Sequence, residues 1–219
     1  MQSIRSGGDC FGGAIVNRLT RRKFLSATTA TSLTLALPRT SSAAIGRLEK
    51  PVRIGVVADL HHDVMHDGIA RTEAFVKKMA TSQPNAIIQL GDFAYPNTKN
   101  RKVIKMFNDA HARSLHVIGN HDTDNGHTKE QCLDIWGMPG RYYTQDIEGL
   151  QLVVLDGNDR GSPTHEGGYV SYFGKEQTKW LKEQLANLDG PIIIVSHQPL
   201  AGYAAVDNAE EMQGILGDA

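Results

Sequence analysis

Apolar and polar positions alternate in blocks along this chain. "VRIGVVAD" (52–59), "NAIIQLGD" (85–92) and "SLHVIGNHD" (114–122) are nearly continuous apolar runs that end abruptly in carboxylate, amide or imidazole groups. That is the profile of strands buried on both faces. Between them, residues 68–81 set Ile69, Phe75, Val76 and Met79 among Arg, Glu and Lys, which predicts an amphipathic helix stopped by Pro84. Residues 99–112 predict a second helix. The pattern then changes. Residues 128–136 predict a short helix, and 141–147 and 150–157 flank Glu148-Gly149 as a β-hairpin. Residues 157–168 form a Gly/Asn/Asp/Ser/Pro loop long enough to line a site. Residues 175–188 place Trp180, Leu181, Leu185 and Leu188 on one helical face. Gly190-Pro191 ends that helix, and "IIIVSHQP" (192–199) predicts a further buried strand.

Strand and helix alternate at roughly 30 residues per step, the length of a βαβ unit. Right-handed crossovers make such strands parallel, so their C-terminal ends share one edge, where open α/β sheets place ligands. At that edge the strands deliver Asp59 and His61, then Asp92, then Asn120, His121 and Asp122, then His197. Any one of these groups is weak evidence, because Gly, Asn and Asp all favour turns. Four sets on one edge carry more. Grouped carboxylates repel each other, and a bound cation removes that penalty. Oxygen and imidazole donors without thiolate point to Mn, Fe, Zn or similar ions.

The order D-x-H, G-D, G-N-H-D and a later His, here "ADLHHD", "LGDFAY", "IGNHDT" and "VSHQPL", resembles the calcineurin-like metallophosphoesterases over roughly residues 52–200. The resemblance implies an α/β fold, a four-layer αββα sandwich of two mixed sheets with outer helices. It implies two metal ions, Asp59 and His61 on the first, Asn120 and His197 on the second, and Asp92 bridging both. It also implies hydrolysis of small phosphate mono- or diesters by a metal-bridging hydroxide, with His121 as acid catalyst beside the metals.

The chain departs from that family in two places. A second acid three residues after the G-D ligand often steadies the catalytic His; Tyr95 stands there instead. Asp122 is open to two readings, as the group that orients His121 or as a cap for the next turn. The family's final G-H-x-H motif has no counterpart, since no His follows His197. The expectation is a domain lacking its last strands, with one ligand fewer per metal and an open sheet edge. An impaired or inactive remnant, or a binding module, is therefore the alternative to an enzyme.

Other residues carry plainer readings. His62 and His66 are expected in a solvent-facing loop, and His127 and His165 in polar loops near the site edge. His111 and His116 are expected on a helix surface and in a strand, and Trp136, Tyr142 and Tyr143 in packing. Of two cysteines, Cys10 and Cys132, neither sits in a CxxC pair, and Cys132 reads as a buried, inert thiol.

The formal net charge of -1 hides an asymmetry. Residues 1–44 hold six basic residues and one acid, Asp9, leaving 17 basic and 23 acidic residues in the remainder. That acidic excess argues against a nucleic-acid partner. Thr20, Arg21, Arg22, Lys23, Phe24 and Leu25 lead into a mildly apolar stretch, and Ser41, Ser42, Ala43 and Ala44 supply small residues for cleavage. This resembles a twin-arginine signal peptide over residues 1–44, followed by the folded domain at 45–219. The stretch is too short and polar for a stable membrane anchor. The expected partners are thus the twin-arginine export machinery and a small phosphate-ester substrate, and the expected location is the periplasm or beyond.

Overall fold

The apolar runs form strands that sort into two sheets of three. The structure, a computed structural model, describes residues 47–218. The signal-peptide expectation for residues 1–44 lies outside the described residues.

The first sheet contains β1 (Ile54–Val57), β2 (Ala86–Gln89) and β3 (Ser114–His116) in that order, all parallel. Its crossovers carry α1 (Gly68–Ser82) and α2 (Arg101–Asn108). Arg101 starts α2 later than expected because Asn97 accepts the backbone N–H groups of Lys99 and Asn100 and winds Thr98–Asn100 into a 3-10 turn. Val57, Gln89 and His116 are level in the register. The residues just past them therefore emerge side by side, which is the geometric basis of the site.

A capping box between Thr128 and Gln131 starts α3 (Lys129–Trp136), and left-handed Gly137 ends it. The second sheet holds β4 (Tyr143–Ile147), β5 (Leu150–Val154) and β6 (Ile192–Val195). Glu148 (φ 56) and Gly149 (φ 87) make the two-residue turn of the β4–β5 hairpin, the positive-φ pair that matches strand twist. β6 runs parallel to β5 after α4 (Lys175–Asn187). The expected mixed character thus belongs to the second sheet, while the first is parallel throughout its described strands. α5 (Ala209–Gly217) was not anticipated, although Met212 and Ile215 stand three apart, a helical spacing, and are buried.

Alternate residues of β5, with Leu155 just past its end, serve two cores. Leu152 and Val154 join Ile87, Ile88, Phe93, Phe107 and Trp136 in one cluster. Val153 and Leu155 join Leu181, Met212 and Ile215 in the other. This is the period-two signature of a sheet covered on both faces, and it produces the layered sandwich. β1 and β6 each lie at an edge of their sheets among the described residues, with Val56 and Ile193 exposed to 53% and 44%. Among the described residues no helix is long and apolar enough to cross a membrane.

Polar ties cross between the sheets. Tyr143 Oη on β4 donates to the His116 carbonyl (2.9 Å) and accepts from the His116 N–H (3.2 Å). His116 itself is a core residue, stacked on Trp136 with ring centroids 5.4 Å apart. Its Nε2 lies 2.7 Å from Asn108 Oδ1 and its Nδ1 3.1 Å from Gln89 Nε2, which assigns the neutral Nε2–H tautomer. Burial drives its pKa down to about 3. Cys132 is buried as expected, and burial raises its thiol pKa, disfavouring the reactive thiolate.

The His116 environment predicts a pH effect on stability. The folded pKa lies below the unfolded one, so the unfolded chain takes up the proton first. Stability is then lost as pH falls from the unfolded value near 6.5 toward about 3. His116→Gln should remove up to ~1.4 kcal/mol per pH unit from that slope, read from urea unfolding at pH 4–7. Parallel slopes in parent and variant would contradict it.

Candidate metal centre

All the candidate side chains stand just past strand ends. Asp59 and His61 follow β1, Asp92 follows β2, Asn120 and His121 follow β3, and His197 follows β6. Asp59 (φ 54), His61 (φ 47) and Asp92 (φ 51) all hold left-handed backbone conformations. Non-glycine residues occupy that region at a cost, and their concentration at one place marks a site where geometry outranks local comfort.

One ligand atom from each of Asp59, His61 and Asp92 lies within 4.8 Å of the others. His61 Nε2 is 3.8 Å from Asp59 Oδ1 and 3.4 Å from Asp92 Oδ2. On the other side, His197 Nε2 is 3.5 Å from the same Asp92 Oδ2 and 3.1 Å from Asn120 Oδ1. Asp92 Oδ2 therefore sits between two imidazoles, each with one further oxygen donor. The structure brings these five side chains together at one place.

Their electrostatics suit a cation. Burial alone would raise the Asp92 pKa, but its hydrogen bond and charge interaction with His197 bring it below the usual value. Burial alone would lower His197, and Asp92 overrides this, pushing it up to about 9. The pocket thus favours positive charge beside a buried carboxylate. His197 Nδ1 lies 2.8 Å from the Leu90 carbonyl, which can accept only from Nδ1–H. That bond aims Nε2 at Asp92 and Asn120, the orientation a metal-binding imidazole needs. The set holds oxygen and imidazole donors and no thiolate, so it fits hard or borderline divalent ions.

Two glycines allow the loops to meet. Gly91 (φ 97) is left-handed, and a Cβ there would lie 2.5 Å from His197 Nδ1 and 2.8 Å from Gly119 Cα. A Cβ on Gly119 would overlap the Asp92 carboxylate and its backbone nitrogen. Gly119→Ala should therefore destabilise the fold by about 1–3 kcal/mol and weaken metal binding. Denaturant unfolding together with calorimetric titration of Mn²⁺ checks this, and unchanged affinity would refute it.

The neighbours of His121 were only partly anticipated. Asp122 neither orients the ring nor serves as a simple cap. It is 1% exposed, and it accepts the N–H groups of Asp92 (2.8 Å), Phe93 (2.8 Å) and Gly119 (2.7 Å). Burial pushes its carboxyl up to about 7, the Asp92 charge adds to this, and the three donors oppose it. The acid that reaches the ring is Asp124, with Oδ2 2.8 Å from His121 Nδ1. Asp63 was also missed. It accepts from Tyr95 N–H (2.7 Å) and from the Asn100 amide, tying the loop after β1 to the loop after β2.

Two hollows meet at Asn120 and Tyr169. One, of about 400 Å³, is bordered by Asp124, His127, Lys129 and Arg160. The other, of about 300 Å³, is bordered by Ser171, His197 and Gln198. A larger hollow between α4 and α5 shares none of these side chains.

The profile of the calcineurin-like phosphoesterases matches residues 52–217. The chain belongs to the calcineurin-like phosphoesterase family. Among solved structures of similar fold, a dimetal phosphatase from Danio rerio superposes with a TM-score of 0.60 at 16% identity, covering 76% of this chain and 77% of that one. This likeness concerns the fold. A Fibrobacter succinogenes protein named "Probable cyclic nucleotide phosphodiesterase" is 29% identical over 104 residues, 45% of this chain. The match spans only 36% of that relative's length. The two sheets with their helices carry the candidate ligands just past the ends of their strands.

Proposed function

We propose that the protein is a metal-dependent phosphoesterase that hydrolyses small phosphate mono- or diesters at a dinuclear centre. The observation that carries this reading is the placement of Asp92 Oδ2 between His61 Nε2 (3.4 Å) and His197 Nε2 (3.5 Å). Asp59 and His61 would hold one ion, Asn120 and His197 the other, and Asp92 both. When bound, such a pair supplies Lewis acidity toward a phosphoryl group and lowers the pKa of water.

The chain's own groups supply the rest. The His121 backbone N–H donates to Asp92 Oδ1 (2.9 Å), which ties the backbone carrying the imidazole to the carboxylate that would be shared. The His121 ring stands edge-on to that of His61 with centroids 5.2 Å apart, which puts the imidazole beside the same centre. From there Nε2 can deliver a proton to a departing ester oxygen. Net negative charge over the folded part disfavours nucleic acid as substrate. The Fibrobacter relative's name supports adding cyclic nucleotides to the esters tested. The Arg21-Arg22 motif supports export by the twin-arginine route.

The test is the full chain loaded with Mn²⁺, Fe²⁺ or Zn²⁺ and assayed on p-nitrophenyl phosphate, its bis-ester and a cyclic nucleotide, with metal content measured alongside. Turnover with close to two ions per chain is expected. Neither turnover nor bound metal would favour an inactive remnant.

A further inference from the structure

Outside the five candidate ligands, the least ordinary cluster is the one behind His121. Asp124 Oδ2 lies 2.8 Å from His121 Nδ1. Tyr169 Oη lies 3.0 Å from the same Nδ1 and donates to both Asp124 oxygens, at 3.0 and 2.8 Å. The Tyr169 ring also packs on the imidazole, with centroids 4.6 Å apart. The backbone explains how Asp124 gets there. The turn after His121 breaks at Asp124 (φ -64, ψ 164) and at left-handed Asn125 (φ 57), which swings the carboxylate back over the ring. Tyr169 comes from the far end of the 157–168 loop, 48 residues away.

We propose that Asp124 and Tyr169 are positioning residues that hold His121 by its Nδ1–H and leave Nε2 to exchange the proton of the ester leaving group; this rests on the role given to His121 above. A carboxylate has no proton to give, so the ring nitrogen facing it carries the hydrogen. Nδ1–H is then shared between Asp124 and the phenol oxygen, while the phenol proton goes to Asp124. Nε2 is left as the nitrogen that exchanges protons at the reacting centre. In the reaction, a bond forms between a water-derived oxygen and phosphorus, and the ester P–O bond breaks. The proton on Nε2 of the imidazolium passes to the leaving oxygen. Asp124 holds the ring through Nδ1–H, and Tyr169 fixes the carboxylate and packs at a tilt against the imidazole, restricting its rotation.

Asp122 cannot take this part, because both its oxygens are occupied by backbone N–H groups on the other side. Side-chain exposures of 40% for His121 and 27% for Asp124 leave the pair at the wall of the cleft and outside the packed core. Substitution there should therefore alter chemistry more than folding.

The experiment compares Asp124→Asn, Asp124→Ala and Tyr169→Phe with the parent on two esters: p-nitrophenyl phosphate, whose leaving group needs little protonation, and an alkyl phosphate, whose leaving group needs it fully. The Asp124 variants should lose roughly 10- to 100-fold in kcat on the alkyl ester and only a few-fold on the p-nitrophenyl ester, with KM and metal content unchanged. Tyr169→Phe should show the same pattern more weakly. Equal losses on both esters, or a change confined to KM, would overturn the proposal. An activity-free readout runs in parallel: ¹⁵N–¹H correlation spectra of the histidines should show His121 as the Nδ1–H tautomer in the parent and a shifted mixture in Asp124→Asn. A parent His121 in the Nε2–H form overturns the proposal even in an active enzyme. If the parent hydrolyses no ester, the phosphoesterase reading fails, and the spectra still decide the positioning of the ring.

Discussion

Asp92→Ala is expected to lower phosphoester hydrolysis by about 10³-fold or more, roughly 4 kcal/mol of transition-state stabilisation. The size follows from the number of things one carboxylate does. Its Oδ2 stands between the imidazoles of His61 and His197, and its Oδ1 accepts the His121 N–H. Removing it takes a donor from both halves of the proposed centre at once and frees the backbone that carries His121. No other candidate ligand is shared in this way, so Asp59→Ala or Asn120→Ala should cost less than Asp92→Ala. Asp92→Asn keeps an oxygen in place but loses the charge, and it should fall between them. Kinetics on p-nitrophenyl phosphate with metal analysis of each variant checks the order. Circular dichroism confirms that the chain still folds. Activity within tenfold of the parent in Asp92→Ala would mean that the carboxylate does not join two ions.

The centre was legible in the sequence because parallel strands leave a simple trace. Runs such as "NAIIQLGD" are apolar until the sheet ends, and the first polar residues after them must emerge at the shared edge. Asp59, Asp92, Asn120 and His197 could be placed together on that ground before any coordinates. The surroundings of His121 were not legible in the same way. Asp124 lies only three residues from His121, but an extended residue followed by a left-handed Asn125 is what turns it back, and neighbouring Asp122 looked the better candidate. Tyr169 meets them across a long irregular loop, where periodicity says nothing about direction. His116 looked like an ordinary strand residue, and only the packing of Trp136, Asn108 and Gln89 around it shows a buried neutral imidazole. α5 did carry a readable signal, with Glu210 and Glu211 in its first turn and Met212 and Ile215 three apart on its inner face.

The distinction between the two acids that follow His121 yields the largest expected effect on stability. In Asp122→Ala, three buried N–H groups lose their acceptor together: Asp92, Phe93 and Gly119. Each unsatisfied donor costs about 1–3 kcal/mol, and relaxation recovers part of the sum, so a loss of about 3–5 kcal/mol is expected. Asp122→Asn retains one acceptor oxygen but turns amide hydrogens toward a backbone N–H, and should cost about 2 kcal/mol. The damage will not stay local. Those N–H groups belong to the loops that carry Asp92 and Asn120, so metal affinity should fall with stability. Asp124→Ala removes a partly exposed side chain that bonds only to other side chains, and should leave unfolding within about 1 kcal/mol of the parent. Urea unfolding of the three variants, each freed of metal, measures this directly. Equal stabilities for Asp122→Ala and Asp124→Ala would show that the loops after β2 and β3 are joined by some other contact, and that adjacency in sequence, not bonding, made the two carboxylates look different.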